Sequence, residues 1–163
     1  MQKRIVIVED EGITAMHLRA LLEGSGYSVT DVEDTAESAL DRIAEARPDL
    51  VLMDIRLKGQ MDGVTAGHLI HGRHEIPVVF LSAHSDEATL QRVKASRAYG
   101  FVVKPFAEHD LMIAVETALF RHRIETSLAE SEGAAKLDLG GAGNPQIAAD
   151  PEGRVMYLNP AAE

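Results

Sequence analysis

Three carboxylates stand where buried strands should end. Glu9 and Asp10 close the apolar run Ile5-Val6-Ile7-Val8, and Asp54 closes a second run, Leu50-Val51-Leu52-Met53. Short apolar runs bounded by polar residues are the pattern of strands covered on both faces, and parallel sheets gather functional groups at the carboxyl ends of such strands. Carboxylates crowded onto one edge repel, and at least one pKa rises unless a cation neutralises them. An all-oxygen set without a full protein cage suits Mg²⁺, with Mn²⁺ able to substitute, because Mg²⁺ keeps several waters and takes one or two carboxylates plus a phosphoryl oxygen. In that setting Asp54 is a candidate nucleophile, attacking phosphorus to give an acyl phosphate. Lys104 supplies a point cation for a phosphoryl oxygen, and the Ser82 hydroxyl a hydrogen bond to another. Pro105 removes a backbone donor where a strand ends and can hold a cis bond that turns Lys104 inward.

The elements that must carry these groups alternate along the chain. Strands are predicted over residues 4–8, 28–32, 50–53, 78–81 and 101–103, with helices over 13–23, 36–46, 64–72 and 86–97 and a long helix from about 108. Ala15, Leu18, Leu21 and Leu22 form the inner face of the first helix, and Ala39, Leu40 and Ile43 that of the second, which ends before Pro48. Right-handed crossovers then close an α/β fold: a flavodoxin-like, doubly wound, five-stranded parallel sheet of order 2-1-3-4-5 with an extended C-terminal helix.

Taken in order, Glu9-Asp10, Asp54, Met61-Asp62-Gly63, Ser82-Ala83, and Phe101 three residues before Lys104-Pro105 resemble a response-regulator receiver domain of two-component signalling, over residues 3 to about 122. The resemblance implies that Asp54 is the phosphoacceptor, that Asp10 ligates Mg²⁺ directly and Glu9 through water, and that Asp54 and the backbone carbonyl of Arg56 complete the metal set. It implies a cis Lys104-Pro105 bond and a histidine kinase or phosphotransfer protein as partner. It also implies a two-state switch in which Ser82 moves toward the phosphoryl group and Phe101 turns inward, altering the face made by the fourth helix, fifth strand and fifth helix. Phe101 lacks the hydroxyl of the tyrosine common at this place, so a permanently buried phenylalanine is the competing expectation.

The segment 55–63 departs from the family pattern, being one residue longer than the commonest form, with Lys58-Gly59 where proline is usual. Arg56 and His84, each two residues beyond a site residue, are expected to flank the phosphoryl group and set its lifetime.

Composition narrows the partners. A formal charge of -10 and a pI of about 5.1 repel nucleic-acid backbones and acidic membrane surfaces, so neither is an expected direct partner. No apolar stretch nears the roughly eighteen residues of a membrane span, and Met1-Gln2-Lys3-Arg4 leads directly into a strand, which points to a cytoplasmic protein. With no cysteine, the chain has neither disulfides nor thiolate chemistry.

The expected division is a receiver over 1–122, a helical and Gly-rich linker over 123–143 and the truncated start of a PAS domain over 144–163. Phe120, Ile124 and Leu128 continue an apolar line that suits a partner helix and hence a homodimer through the fifth helix and linker, although three positions fall short of a sustained heptad run. His122 lacks the acid and proline of a kinase phosphorylation helix, so it is expected to face solvent near a helix end. Gly140-Gly141-Ala142-Gly143 has no following lysine and is expected to be linker. The last segment reads as a hairpin turning at 150–153, short of a PAS core by roughly eighty residues.

Three functional classes are thus in view. The first is a phosphoacceptor signalling module regulating a PAS-containing output or sensor kinase, not itself an enzyme beyond its own phosphorylation and dephosphorylation. The second is a Mg²⁺-dependent phosphohydrolase of the haloacid-dehalogenase type, which wants an acid where Arg56 stands. The third is an interaction scaffold that never turns over phosphate.

Overall fold

Apolar side chains alternate between the two faces of each central strand, and both faces are covered. The computed structural model describes residues 1–83, 87–138, 147–149 and 155–157, with side chains through Ser131. Its elements are β1 (Arg4–Val8), α1 (Gly12–Gly24), β2 (Ser28–Glu33), α2 (Ala36–Ala46), β3 (Leu50–Asp54), α3 (Gly63–His74), β4 (Val78–Ser82), α4 (Glu87–Ala95), β5 (Gly100–Val103), α5 (Glu108–Asp138), β6 (Ile147–Ala149) and β7 (Val155–Tyr157). The chain divides into two units, Met1–Leu119 and Phe120–Glu163.

In the first unit five strands pair in parallel in the order β2-β1-β3-β4-β5. Ile5, Ile7, Leu50, Leu52, Val79 and Leu81 pack with Leu18 and Leu22 of α1 and Leu111, Val115 and Ala118 of α5. Val6, Val8, Val51, Met53, Val78 and Phe80 pack on the other side with Ala39 and Ile43 of α2, Val64 and Ile70 of α3 and Val93 of α4. Each such aliphatic side chain taken from water contributes roughly 1.5–3 kcal/mol, which is why unbroken apolar runs specify the centre of this sheet.

Caps set the helix bounds. The Thr35 hydroxyl accepts from Ser38 N–H at 3.1 Å to start α2, and the Asp62 carboxylate accepts from Thr65 N–H at 2.8 Å to start α3. The third helix runs past Gly72, where the sequence suggested an end. His71, Arg73 and His74 suit the negative end of its dipole, and Glu75 closes it with φ 56°.

In the second unit α5 continues without a break to Asp138. Phe120 and Ile124 are exposed and Leu128 is half-buried; the Arg123 guanidinium lies over the Phe120 ring at 5.4 Å. His122 is not the solvent-facing residue near a helix end that the sequence suggested. It lies within the continuous helix, well before its end, and is half-buried. β6 and β7 pair antiparallel with Ala148 opposite Met156, while the expected turn at 150–153 and the glycine run at 140–143 lie outside the described residues. Among the described residues no helix is long and apolar enough to cross a membrane.

Candidate functional site

Strand register brings the chemistry to one edge. Val8 stands opposite Met53, Asp54 opposite Leu81, and Ser82 opposite Val103, so Glu9, Asp54, Ser82 and Lys104 emerge at the same carboxyl end of the sheet. The ladders continue past the strands: Glu9 N–H donates to Glu33 O at 2.9 Å, Ile55 N–H to Leu81 O at 3.0 Å and Lys104 N–H to Ser82 O at 2.7 Å. Backbone hydrogen bonds thereby fix the base of each functional residue.

Oxygens of Glu9, Asp10 and Asp54 all lie within 4.8 Å of one another. Lys104, whose bond to Pro105 is cis, reaches into this group with Nζ 2.6 Å from Glu9 Oε2 and 3.0 Å from Asp54 Oδ2. Glu9 and Asp54 are buried, Asp10 and Lys104 half-buried. Glu11 N–H donates to Glu9 Oε1 at 3.0 Å, and Arg56 N–H to Asp54 Oδ1 at 3.1 Å. Burial pushes the Glu9 carboxyl from 4.5 up to about 7, although Lys104 and the Glu11 N–H both pull it down. Burial also pulls the Lys104 ammonium down, but its bonds to Glu9 and Asp54 outweigh this and the net shift is upward. With every group ionised, three carboxylates face one ammonium, and the pocket keeps an excess of negative charge.

Ser82 is buried at the end of β4. Phe101 is half-buried against the α2–α4 face, opposite Phe80 in register, and so is not the fully buried residue of the competing expectation. The Arg56 side chain is exposed, and His84 lies outside the described residues. A cleft of about 490 Å³ opens between the start of α1 and the residues after β5, lined by Ile13, His17, Ala83, Lys104 and Phe106 among others.

Two contacts were not foreseen. The Asp62 carboxylate, besides capping α3, pairs with Arg92 of α4. Burial alone would raise the Asp62 carboxyl, but the Thr65 N–H and Arg92 hold it below its usual value. Glu37 of α2 accepts from both Gln60 N–H and Met61 N–H in the segment after Asp54. Its place in the first turn of α2, two residues after the cap Thr35, was visible in the sequence; its distant partners were not.

The family model for the response regulator receiver domain matches residues 5–116. The chain belongs to the response regulator receiver family. Among curated relatives, the transcriptional regulatory protein PdtaR of Mycobacterium tuberculosis is 32% identical over 126 residues, covering 77% of this chain and 61% of PdtaR. The nitrogen assimilation regulatory protein NtrX of Azorhizobium caulinodans is 36% identical over 132 residues, covering 80% of this chain and 29% of NtrX. This chain therefore spans less than two thirds of each of these relatives. Among solved structures, the signal receiver domain of a modulated diguanylate cyclase from Desulfovibrio desulfuricans superposes with a TM-score of 0.73 at 34% identity, covering 77% of this chain and 99% of that one. The N-terminal domain of a response regulator/sensory box/GGDEF protein from Carboxydothermus hydrogenoformans gives 0.70 at 38%, covering 76% and 99%. The receiver fold is thus shared with solved receiver domains of longer proteins.

Proposed function

We propose that this receiver accepts a phosphoryl group on Asp54 from a histidine kinase or phosphotransfer protein, with Mg²⁺, and relays the change through α4, β5 and α5. The observation that carries the reading is the pairing of Lys104 Nζ with both Asp54 and Glu9 inside a three-carboxylate pocket. An Asp54 oxygen attacks phosphorus as the donor's leaving group departs, while the Lys104 ammonium offsets charge on the phosphoryl oxygens and the Ser82 hydroxyl donates to one of them. Glu9, Asp10 and Asp54 form a hard, all-oxygen donor set in a pocket with excess negative charge, which fits a divalent cation; the Arg56 carbonyl adds a further oxygen. When bound, Mg²⁺ neutralises the carboxylates and the incoming phosphoryl group.

Incubation with a small phosphodonor and Mg²⁺, followed by intact mass, tests this. Wild type gains one phosphoryl group and Asp54→Asn gains none; sustained phosphate release would favour a phosphohydrolase, and no change a silent scaffold. The decay of the same sample reads lifetime. Replacing Arg56 and His84 with alanine changes the decay rate if they flank the phosphoryl group, and an unchanged rate removes that role. Ser82 and Phe101 form the switch in this reading, so phosphorylation shifts the Phe101 ring resonances; a ring indifferent to phosphorylation would refute it.

Glu9 gives the reading a pH signature. Its folded pKa, about 7, lies above the ordinary 4.5, so its contribution to stability is complete below about 4.5 and is lost as pH rises toward 7. From that shift, metal-free protein is expected to lose roughly 2–3 kcal/mol of stability from Glu9 across this window. Mg²⁺ binds the ionised pocket, so the stabilisation it gives grows with pH. Thermal unfolding in chelator and in Mg²⁺, on both sides of the window, measures this. A Mg²⁺ effect independent of pH would contradict it.

The cytoplasm is the compartment this chemistry implies. The second unit is the route to an output: a linker helix, a homodimer through Phe120, Ile124 and Leu128, and the opening strands of a PAS module, for which the β6–β7 pair and the exposed Phe120 and Ile124 are the support. A chain ending at His122 should then lose the dimer mass of the full chain, and equal masses would remove the dimer.

A further inference from the structure

We infer that Glu37 is a positioning residue for the phosphoryl site, its carboxylate clamping the loop that follows Asp54 so that the loop stays aligned with the acceptor. This rests on the phosphoacceptor reading of Asp54.

The loop is tied at both ends by the site itself. Ile55 N–H bonds Leu81 O, Arg56 N–H bonds Asp54 Oδ1 at 3.1 Å, and Gly63 N–H bonds Ile55 O at 2.9 Å. Residues 57–61 lie between these ties. α2 takes over the restraint there. Lys58 pairs with Thr35, the residue that caps α2. One oxygen of Glu37, Oε1, then accepts Gln60 N–H at 3.1 Å and Met61 N–H at 3.0 Å.

Gly59 completes the fit. Its φ of +96° is a conformation that side chains rarely adopt, and a Cβ there would lie 2.8 Å from Glu37 Oε2. Two consecutive N–H groups converging on one carboxylate oxygen form an anion nest filled by the protein's own side chain. Glu37's own backbone N–H and that of Met61 hold its carboxyl below the usual range. Because Glu37 is exposed, its charge is screened by water, and the acceptor geometry is what restrains the loop. Glutamine preserves that geometry and alanine does not.

The consequence falls on the Arg56 N–H, which orients Asp54 Oδ1, and on the Arg56 carbonyl in the same loop. A freed loop lets both drift, and small misplacements near a reacting centre are costly in rate.

The test measures, in wild type, Glu37→Ala, Glu37→Gln and Gly59→Ala, the rate of Asp54 phosphorylation by a small phosphodonor with Mg²⁺, amide exchange at Gln60 and Met61, and the unfolding midpoint. Glu37→Ala and Gly59→Ala are expected to accelerate exchange at both amides and slow phosphorylation by about 5- to 20-fold. Glu37→Gln restores both, and the Glu37→Ala midpoint stays near wild type. Faster exchange with an unchanged rate, or a Glu37→Gln protein as slow as Glu37→Ala, overturns the proposal. A wild-type chain that takes up no phosphoryl group sinks the phosphoacceptor reading and this inference together, and that control separates the two failures.

Discussion

Gly63→Ala is expected to leave little native protein. Gly63 is buried at the first position of α3, where the chain returns to the end of β3. A Cβ there would fall 1.9 Å from Asp54 O, 2.8 Å from Asp54 C and 2.9 Å from the Ile55 Cα. All three are backbone atoms, so no rotamer relieves the clash. Either β3 or the start of α3 must move, and both carry the site. Forced overlap of this kind places the loss above about 4 kcal/mol, a large share of the roughly 5–15 kcal/mol that holds an ordinary domain folded. Gly72→Ala is the control, since nothing lies within 4 Å of its Cβ position in the same helix and alanine there is expected to stabilise by about 0.5–1 kcal/mol. Urea unfolding followed by circular dichroism compares the two. A Gly63→Ala chain that unfolds cooperatively near the wild-type midpoint would show that the close approach of α3 to Asp54 is wrong.

The second large effect is expected from Lys104→Met. Methionine fills much of the lysine stem's volume, so the main loss is the ammonium held between Glu9 and Asp54 at 2.6 and 3.0 Å. Two buried carboxylates are then left facing each other. Removing one partner of a buried ion pair typically costs about 3–5 kcal/mol. The loss should be largest near neutral pH and shrink in acid, because the Glu9 carboxyl, already pushed up by burial, takes a proton more readily once the ammonium is gone. Mg²⁺ should return part of it. A loss of equal size at every pH, untouched by Mg²⁺, would mean that Lys104 contributes through packing alone.

What the sequence made legible was what local pattern encodes. Ile5-Val6-Ile7-Val8 and Leu50-Val51-Leu52-Met53 admit few alternatives to central strands, and alternation with helices makes a doubly wound sheet the natural closure, its 2-1-3-4-5 order matching the receiver resemblance. The meeting of Glu9, Asp10, Asp54 and Lys104 followed from that order, because a parallel register sends every strand's carboxyl end to one edge. Contacts set by tertiary approach were hidden. Glu37 looks like an ordinary first-turn acid until Gln60 and Met61 are seen beside it, and Arg92 like a solvated helix charge until it meets Asp62. The end of α3 was misjudged for a related reason: Gly72 read as a stop, but the αL cap at Glu75 carried the helix further, whereas the extension of α5 past His122 was expected and is seen through Asp138.

The most direct measurement locates the phosphoryl group itself. After exposure to a small phosphodonor and Mg²⁺, borohydride reduces an acyl phosphate to the alcohol, and peptide sequencing reads which aspartate has changed. The geometry around Lys104 Nζ predicts homoserine at position 54 and nowhere else. Unmodified aspartate at 54, or reduction at Asp10 in its place, would contradict the account.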